Sequence, residues 1–133
     1  MSQKAKILIE GMSTEELLSL VNSEEYQEII FTGEPVIFSA GSSQILGQFT
    51  KSDEELVIVL SHIEGGGEGV LLLLMNLFRK FAREEKKKKI EWIVHAVDCP
   101  KPNPKLPRML ELKGFKVVTD PIDGKVYKKI ESV

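Results

Sequence analysis

LVIVLSHIEGGGEGVLLLLMNLFRKF, residues 56–81, decides how this chain folds, because three local patterns meet in it without a break. Leu56 to Leu60 is apolar at every position, the mark of a short central strand covered on both faces. Glu64-Gly65-Gly66-Gly67-Glu68-Gly69 then interrupts the run with four glycines in five positions. After Gly69 the period changes to that of a helix: Leu71, Leu74, Phe78 and Phe81 share one face, and Val70, Leu73 and Leu77 broaden it. A central strand, a glycine turn and a deeply packed helix in direct succession place the chain in the α/β class.

Upstream, Lys6 to Glu10 reads as a short first strand, and Ser13 with Glu16 three residues later is a capping-box pattern opening a helix faced by Leu17, Leu20 and Val21. Ser23 opens a second helical stretch through Ile30, with Tyr26, Ile29 and Ile30 apolar, until Thr32, Gly33 and Pro35 break it. Val36–Ser39, Gln44–Thr50 and Leu56–Ile63 form a meander, with turn residues at Gly41, Ser42 and Ser43 and again at Ser52 and Asp53. Downstream, Lys86 to Lys89 suits the negative end of the helix dipole. Ile90–Val97 is a strand, and a loop from Pro100 to Pro104 leads into a short helix that ends at Gly114. Pro107 fits that helix only in its first turn. Phe115–Thr119 and Lys125–Ile130 close the chain as a hairpin about Asp123 and Gly124.

No repeat and no linker divides the 133 residues, so residues 1–133 read as one domain large enough for its own core. With 42% hydrophobic and 29% charged residues the composition is that of a globular protein, not a disordered or fibrous one. A formal charge of -2 gives no overall attraction to nucleic acid or acidic membranes. Cys99 is the single cysteine, so no intramolecular disulfide forms. The apolar runs Ile7–Ile9 and Val70–Met75 are far shorter than the roughly 20 residues that span a bilayer. A cytoplasmic location is the expectation.

Each glycine raises the entropic cost of ordering the backbone, so Gly65, Gly66, Gly67 and Gly69 ask for positive φ angles or the close approach of another group. A loop of this kind opening a helix aims unpaired N–H groups outward at the positive dipole end, which makes an anion site from main chain alone. The alternative is a tight turn holding nothing, and Glu64 and Glu68 oppose a bound anion.

At these residues the chain resembles the GNAT (Gcn5-related N-acetyltransferase) family. Its pyrophosphate loop, Gln/Arg-x-x-Gly-x-Gly/Ala, is matched by Gly67 and Gly69, with Glu64 where the family has Gln or Arg. A second motif, an Asn followed eleven and twelve residues later by Gly-Phe, is matched by Asn103, Gly114 and Phe115. The order of elements from Val36 to Ile130 is similar too. The resemblance implies a mixed, largely antiparallel central sheet flanked by helices. It also implies that acetyl-CoA lies between the fourth and fifth strands, with its pyrophosphate on the amides of Gly65, Gly66, Gly67, Glu68, Gly69 and Val70 and with Asn103 nearby. A primary amine would attack the thioester directly, and alignment of the two reactants would supply much of the rate. The tyrosine that many members place seven residues after the Asn, as acid toward the thiolate, is Leu110 here. Glu55, with Asp53 and Glu54 beside it, is the candidate base, against the reading of all three as turn charges. A fold kept for ligand or protein binding without turnover is the rival reading.

His62, His95 and Cys99 lack the close spacing of a zinc site, so no metal is expected. Glu84, Glu85 and Glu91 flank the lysine run, and no aromatic platform is interleaved, so it reads as a solvated helix end and not as a nucleic-acid contact. Trp92 alternates with Val94 and Ala96 as a core residue. Lys105 and Arg108 stand near Asn103, either exposed or facing the adenosine phosphate of a CoA. The partners expected are an amine acceptor and, allowed by the sequence, a second copy of the chain.

Overall fold

The computed structural model describes residues 5–8, 13–31, 35–40, 43–64, 68–95, 105–122 and 124–133. In chain order the elements are β1 (Ala5–Leu8), α1 (Thr14–Asn22), α2 (Glu24–Ile30), β2 (Val36–Ala40), β3 (Ser43–Lys51) and β4 (Glu55–Glu64). Then follow α3 (Glu68–Glu84), β5 (Lys89–Val94), α4 (Lys105–Leu112), β6 (Lys116–Asp120) and β7 (Gly124–Ser132). The seven strands make one sheet in the order β1-β2-β3-β4-β5-β7-β6. Only β1/β2 and β4/β5 pair parallel; the remaining neighbours are antiparallel. The sheet is therefore mixed and largely antiparallel, as the family resemblance implies.

Three connections join parallel strands, and all three step the same way along the sheet: β1 to β2 through α1 and α2, β4 to β5 through α3, and β5 to β6 through α4. Such crossovers are right-handed almost without exception, so helices that step in one direction return over one face. The side chains bear this out. Trp92 and Lys129 are register partners and share a face. Lys129 Nζ donates to the Lys113 carbonyl at the end of α4 (2.7 Å), while Trp92 and Arg79 of α3 meet at Glu131.

This one-sidedness corrects an expectation. β4 lies mid-sheet as anticipated, but only Leu56, Ile58 and Leu60 are fully buried, whereas Val57 and Val59 on its other face are half-buried. Under the covered face α3 inserts Leu71, Leu74, Leu77, Phe78 and Phe81, all fully buried. Phe78 stacks on Phe49 of β3 (4.8 Å between centroids) and Phe81 on Phe31 after α2 (5.1 Å). Lys51 Nζ rests 5.1 Å from the Phe31 ring centre and bonds Gln27 Oε1, closing the edge of this aromatic cluster. The Phe49 ring lies over Gly47, where a Cβ would come within 2.5 Å of it.

The local stop and start signals work as the sequence suggests. Ser13 Oγ accepts from the Glu16 amide and donates to the Glu16 carboxylate, each at 3.1 Å. Gly124 (φ +75°) turns the β6–β7 hairpin, and Pro107 stands in the first turn of α4. At the end of α4, Gly114 (φ +91°) donates to the Glu111 carbonyl and Phe115 to that of Leu110. α3 ends with the same pair of bonds, Lys86 to Arg83 and Lys87 to Ala82, but the left-handed position is held by Lys86 (φ +57°). A side chain there costs about 1 kcal/mol relative to glycine. Lys86→Gly is expected to stabilise the protein by about that much, a rise of roughly 3 °C in Tm by calorimetry.

Candidate functional site

The parallel pair β4/β5 runs in register from Glu55↔Lys89 to Leu60↔Val94, and the His95 amide closes it on the Leu60 carbonyl at 2.8 Å. Among the described residues that pairing stops there, while β4 continues to Glu64 against β3 alone. On that side Leu46 faces Ser61 and Gln44 faces Glu64, so two steps along β3 answer three along β4. The extra residue is a bulge in β4, just beyond the last described pair with β5, Leu60↔Val94. Bulges bend and twist the strand that carries them, and they recur beside binding sites.

Four residues beyond Glu64, α3 begins at Glu68. Its first-turn N–H groups, those of Glu68, Gly69 and Val70, therefore stand at the carboxyl end of the parallel pair with no intrahelical acceptor. The helix starts one turn-position earlier than its apolar period indicates, because Glu68 and Gly69 belong to the first turn and not to the loop. An acidic residue at that place favours the dipole. Gly65, Gly66, Gly67 and Asn103 lie outside the described residues, as does Cys99.

Glu55 is not brought to this place. It is the first residue of β4, nine residues before Glu64 and so roughly 30 Å away at strand rise. Its carboxylate pairs with Lys89 Nζ at 3.5 Å, and its amide bonds Ser52 Oγ. The lysine run is part of the same arrangement and is not merely a solvated helix end. The amides of Lys88 and Lys89 both donate to the Glu54 carbonyl, Lys88 Nζ pairs with the Glu54 carboxylate at 3.1 Å, and Lys87 Nζ bonds the Ser52 carbonyl at 2.5 Å. The run thus clasps the β3–β4 turn.

Leu110, at the position where the resemblance implies an acid, is fully buried in the apolar core. The Gly114–Phe115 pair of the second motif is the α4 stop described above, and the Phe115 ring is buried. Arg108 is exposed on α4. Tyr127 was missed by sequence reasoning. It is buried, shares the core cluster with Leu110, and stands in register opposite Val94, the last residue of β5. Burial, and then the Glu111 carboxylate, push its phenol above the usual range, so it keeps its proton at neutral pH. Nothing local marks it, because its position depends on β7 lying between β5 and β6.

At the other end of the sheet, Glu131 accepts from Arg79 Nε (2.8 Å), Arg79 Nη2 (3.2 Å) and Trp92 Nε1 (2.8 Å), with Lys129 Nζ at 3.5 Å. Burial raises the pKa of this carboxyl, but the bonds from Arg79 and Trp92 and the charges of Arg79 and Lys129 outweigh it, so the net displacement is downward. No cluster of three metal-ligating side chains occurs among the described residues, and none of the described helices is long and apolar enough to cross a membrane.

The sheet order, the parallel β4/β5 pair and the helix opening at its carboxyl end agree with the architecture that the family resemblance implies. No protein-family model matches the chain, and no curated protein does. Among solved structures it is similar to Ard1 from Thermoplasma volcanium, at 17% identity and TM-score 0.46 over 91% of this chain and 80% of that one. It is also similar to the anti-CRISPR protein AcrVA5, at 16% identity and TM-score 0.42 over 71% and 97%. A third similarity is to the NatC complex bound to Gag peptide and CoA, at 18% identity and TM-score 0.40 over 68% and 60%.

A depressed carboxyl contributes stability that is full above its unfolded pKa of about 4.3 and is lost as pH falls through the folded value. Glu131→Gln is expected to cost about 1 to 3 kcal/mol at pH 7. It should also flatten the fall of Tm between pH 5 and the acid limit, as thermal melts over that range would read.

Proposed function

We propose that the chain binds an acyl-CoA at the head of β4 and β5 and passes the acyl group to a primary amine. The observation that carries this reading is the coincidence of two features at the carboxyl end of the parallel pair β4/β5: the bulge in β4 and the opening of α3. First-turn amides at a helix opening suit a pyrophosphate, and a bulge beside them turns strand backbone groups toward an extended pantetheine arm. The loop Gly65-Gly66-Gly67 and the spacing of Asn103 before Gly114 support it from the sequence.

In the reaction the amine lone pair forms the new bond to the thioester carbonyl carbon, and the carbon–sulfur bond breaks with its electron pair going to sulfur. The proton the nitrogen loses on becoming an amide passes through water to neutralise the thiolate or to restore the group that protonated it. Leu110 has no proton to give. Tyr127 keeps its own and is buried opposite the end of β5, so it takes that role in this reading.

Calorimetric titration with acetyl-CoA and with free CoA tests the binding half. Saturable heat is expected from both ligands, and Gly67→Asp should abolish it by adding bulk and negative charge to the loop. Absence of binding at millimolar ligand removes the reading, and unchanged affinity in the variant moves the ligand elsewhere.

A second reading, a ligand-binding or interaction module without turnover, is favoured by one pair of observations: Leu110 is buried in the core and Glu55 is distant from the loop. Thiol release over a panel of primary amines separates the two. For an enzyme, Tyr127→Phe should lower that release by about 10²-fold while leaving CoA affinity in place. Release no faster than buffer with the wild-type chain establishes the binding module.

A further inference from the structure

β6 is the last strand of the sheet, and among the described residues it pairs only with β7. Its sequence is Lys116-Val117-Val118-Thr119-Asp120. Edge strands in stable monomers are usually short, bulged, covered or charged along their length, since their free backbone groups recruit other strands. β6 is short, but it exposes Val117 (50%) and Val118 (36%) and confines its charges to the two ends. The most exposed large apolar residues of the described chain flank it: Leu112 (81%) just before, at the end of α4, and Ile122 (92%) just after.

The order of charges is self-complementary. If two copies of β6 lie antiparallel about Val118, Lys116 of each stands opposite Asp120 of the other, Val117 opposite Thr119, and Val118 opposite Val118. A parallel arrangement, or a slip by two residues, loses both ion pairs. Within the chain Lys116 stands in register beside Lys128, a like charge, and Lys128 is already paired with Glu91 at 2.7 Å. Lys116 has no carboxylate partner among the described residues. A second copy supplies one, where the sheet of one chain sets two lysines side by side. An antiparallel pair also sets the β6–β7 turn of one copy, with Ile122, at the same end of the interface as the α4 end of the other, with Leu112. Both outlying apolar residues thus fall at the margins of the same interface.

We propose that the chain forms a symmetric homodimer by antiparallel pairing of β6 with β6 about Val118, joining two seven-stranded sheets into one. The interface is isologous, so the axis fixes every contact twice. It lies beyond β7 from the β4/β5 head and does not depend on what binds there.

Sedimentation equilibrium of the full chain tests the proposal. The wild type should sediment at twice its 14.9 kDa at micromolar concentration. Val118→Asp sets like charges on the axis and should give monomer. Lys116→Asp and Asp120→Lys should each weaken the dimer at least tenfold by opposing like charges, and the double exchange should restore it. A monomeric wild type at 100 μM overturns the proposal, and so does a dimer that either single exchange leaves intact. If both singles dissociate and the double exchange does not reassociate, the register is wrong. Circular dichroism on each variant separates loss of pairing from loss of fold, and the restored double exchange keeps the test decisive if Val118→Asp fails to fold.

Discussion

The handedness of strand crossovers is the constraint from which this architecture follows. Because the three parallel connections step in one direction, α1, α3 and α4 all come to rest on one face of the sheet. That face holds the core, and α3 crosses its middle with buried leucines and phenylalanines on β2, β3, β4 and β5. The tie of α1 to α3 through Asn22 and Glu84 is a consequence of the same choice, since both helices must share the available area. The opposite face keeps Val57, Val59 and Ile93 half-buried and its charges in ion pairs such as Glu91 with Lys128.

Placing α3 over the centre also determines what lies at the two ends of β4 and β5. At one end, the return from α3 must be tight, and the lysine run fastens it to the β3–β4 turn through main-chain and side-chain bonds. At the other end, α3 opens at the carboxyl end of the parallel pair, next to the bulge in β4. The pair is clamped at one end, and at the other the first-turn N–H groups of α3 gather.

Much of this was legible in the sequence. The unbroken apolar run at Leu56–Leu60, the 3.6-residue period after Gly69 and the caps at Ser13 and Gly114 are local signals, and each governs residues within a few positions of itself. What was not legible depends on which strands become neighbours. The insertion of β7 between β5 and β6 puts Tyr127 opposite Val94 and Glu131 within reach of Arg79 and Trp92, and no spacing along the chain reports that. The lysine run looked solvated for the same reason, because its acceptors on Ser52 and Glu54 belong to a distant turn. The distance of Glu55 from the glycine loop was readable, since a ten-residue strand separates the two, but the pull of an acidic residue near a central strand obscured it.

Gly47 and Phe49 show how packing couples positions that look independent. The ring of residue 49 occupies the volume that any side chain at residue 47 needs, and the ring cannot retreat because Phe38 and Phe78 bracket it. In a lineage of such chains the two sites are therefore free to drift only as a couple: a methyl gained at 47 demands a smaller neighbour at 49, and a smaller neighbour empties the space over which α3 lies. Variation at this spot should come as a compensated exchange or not at all.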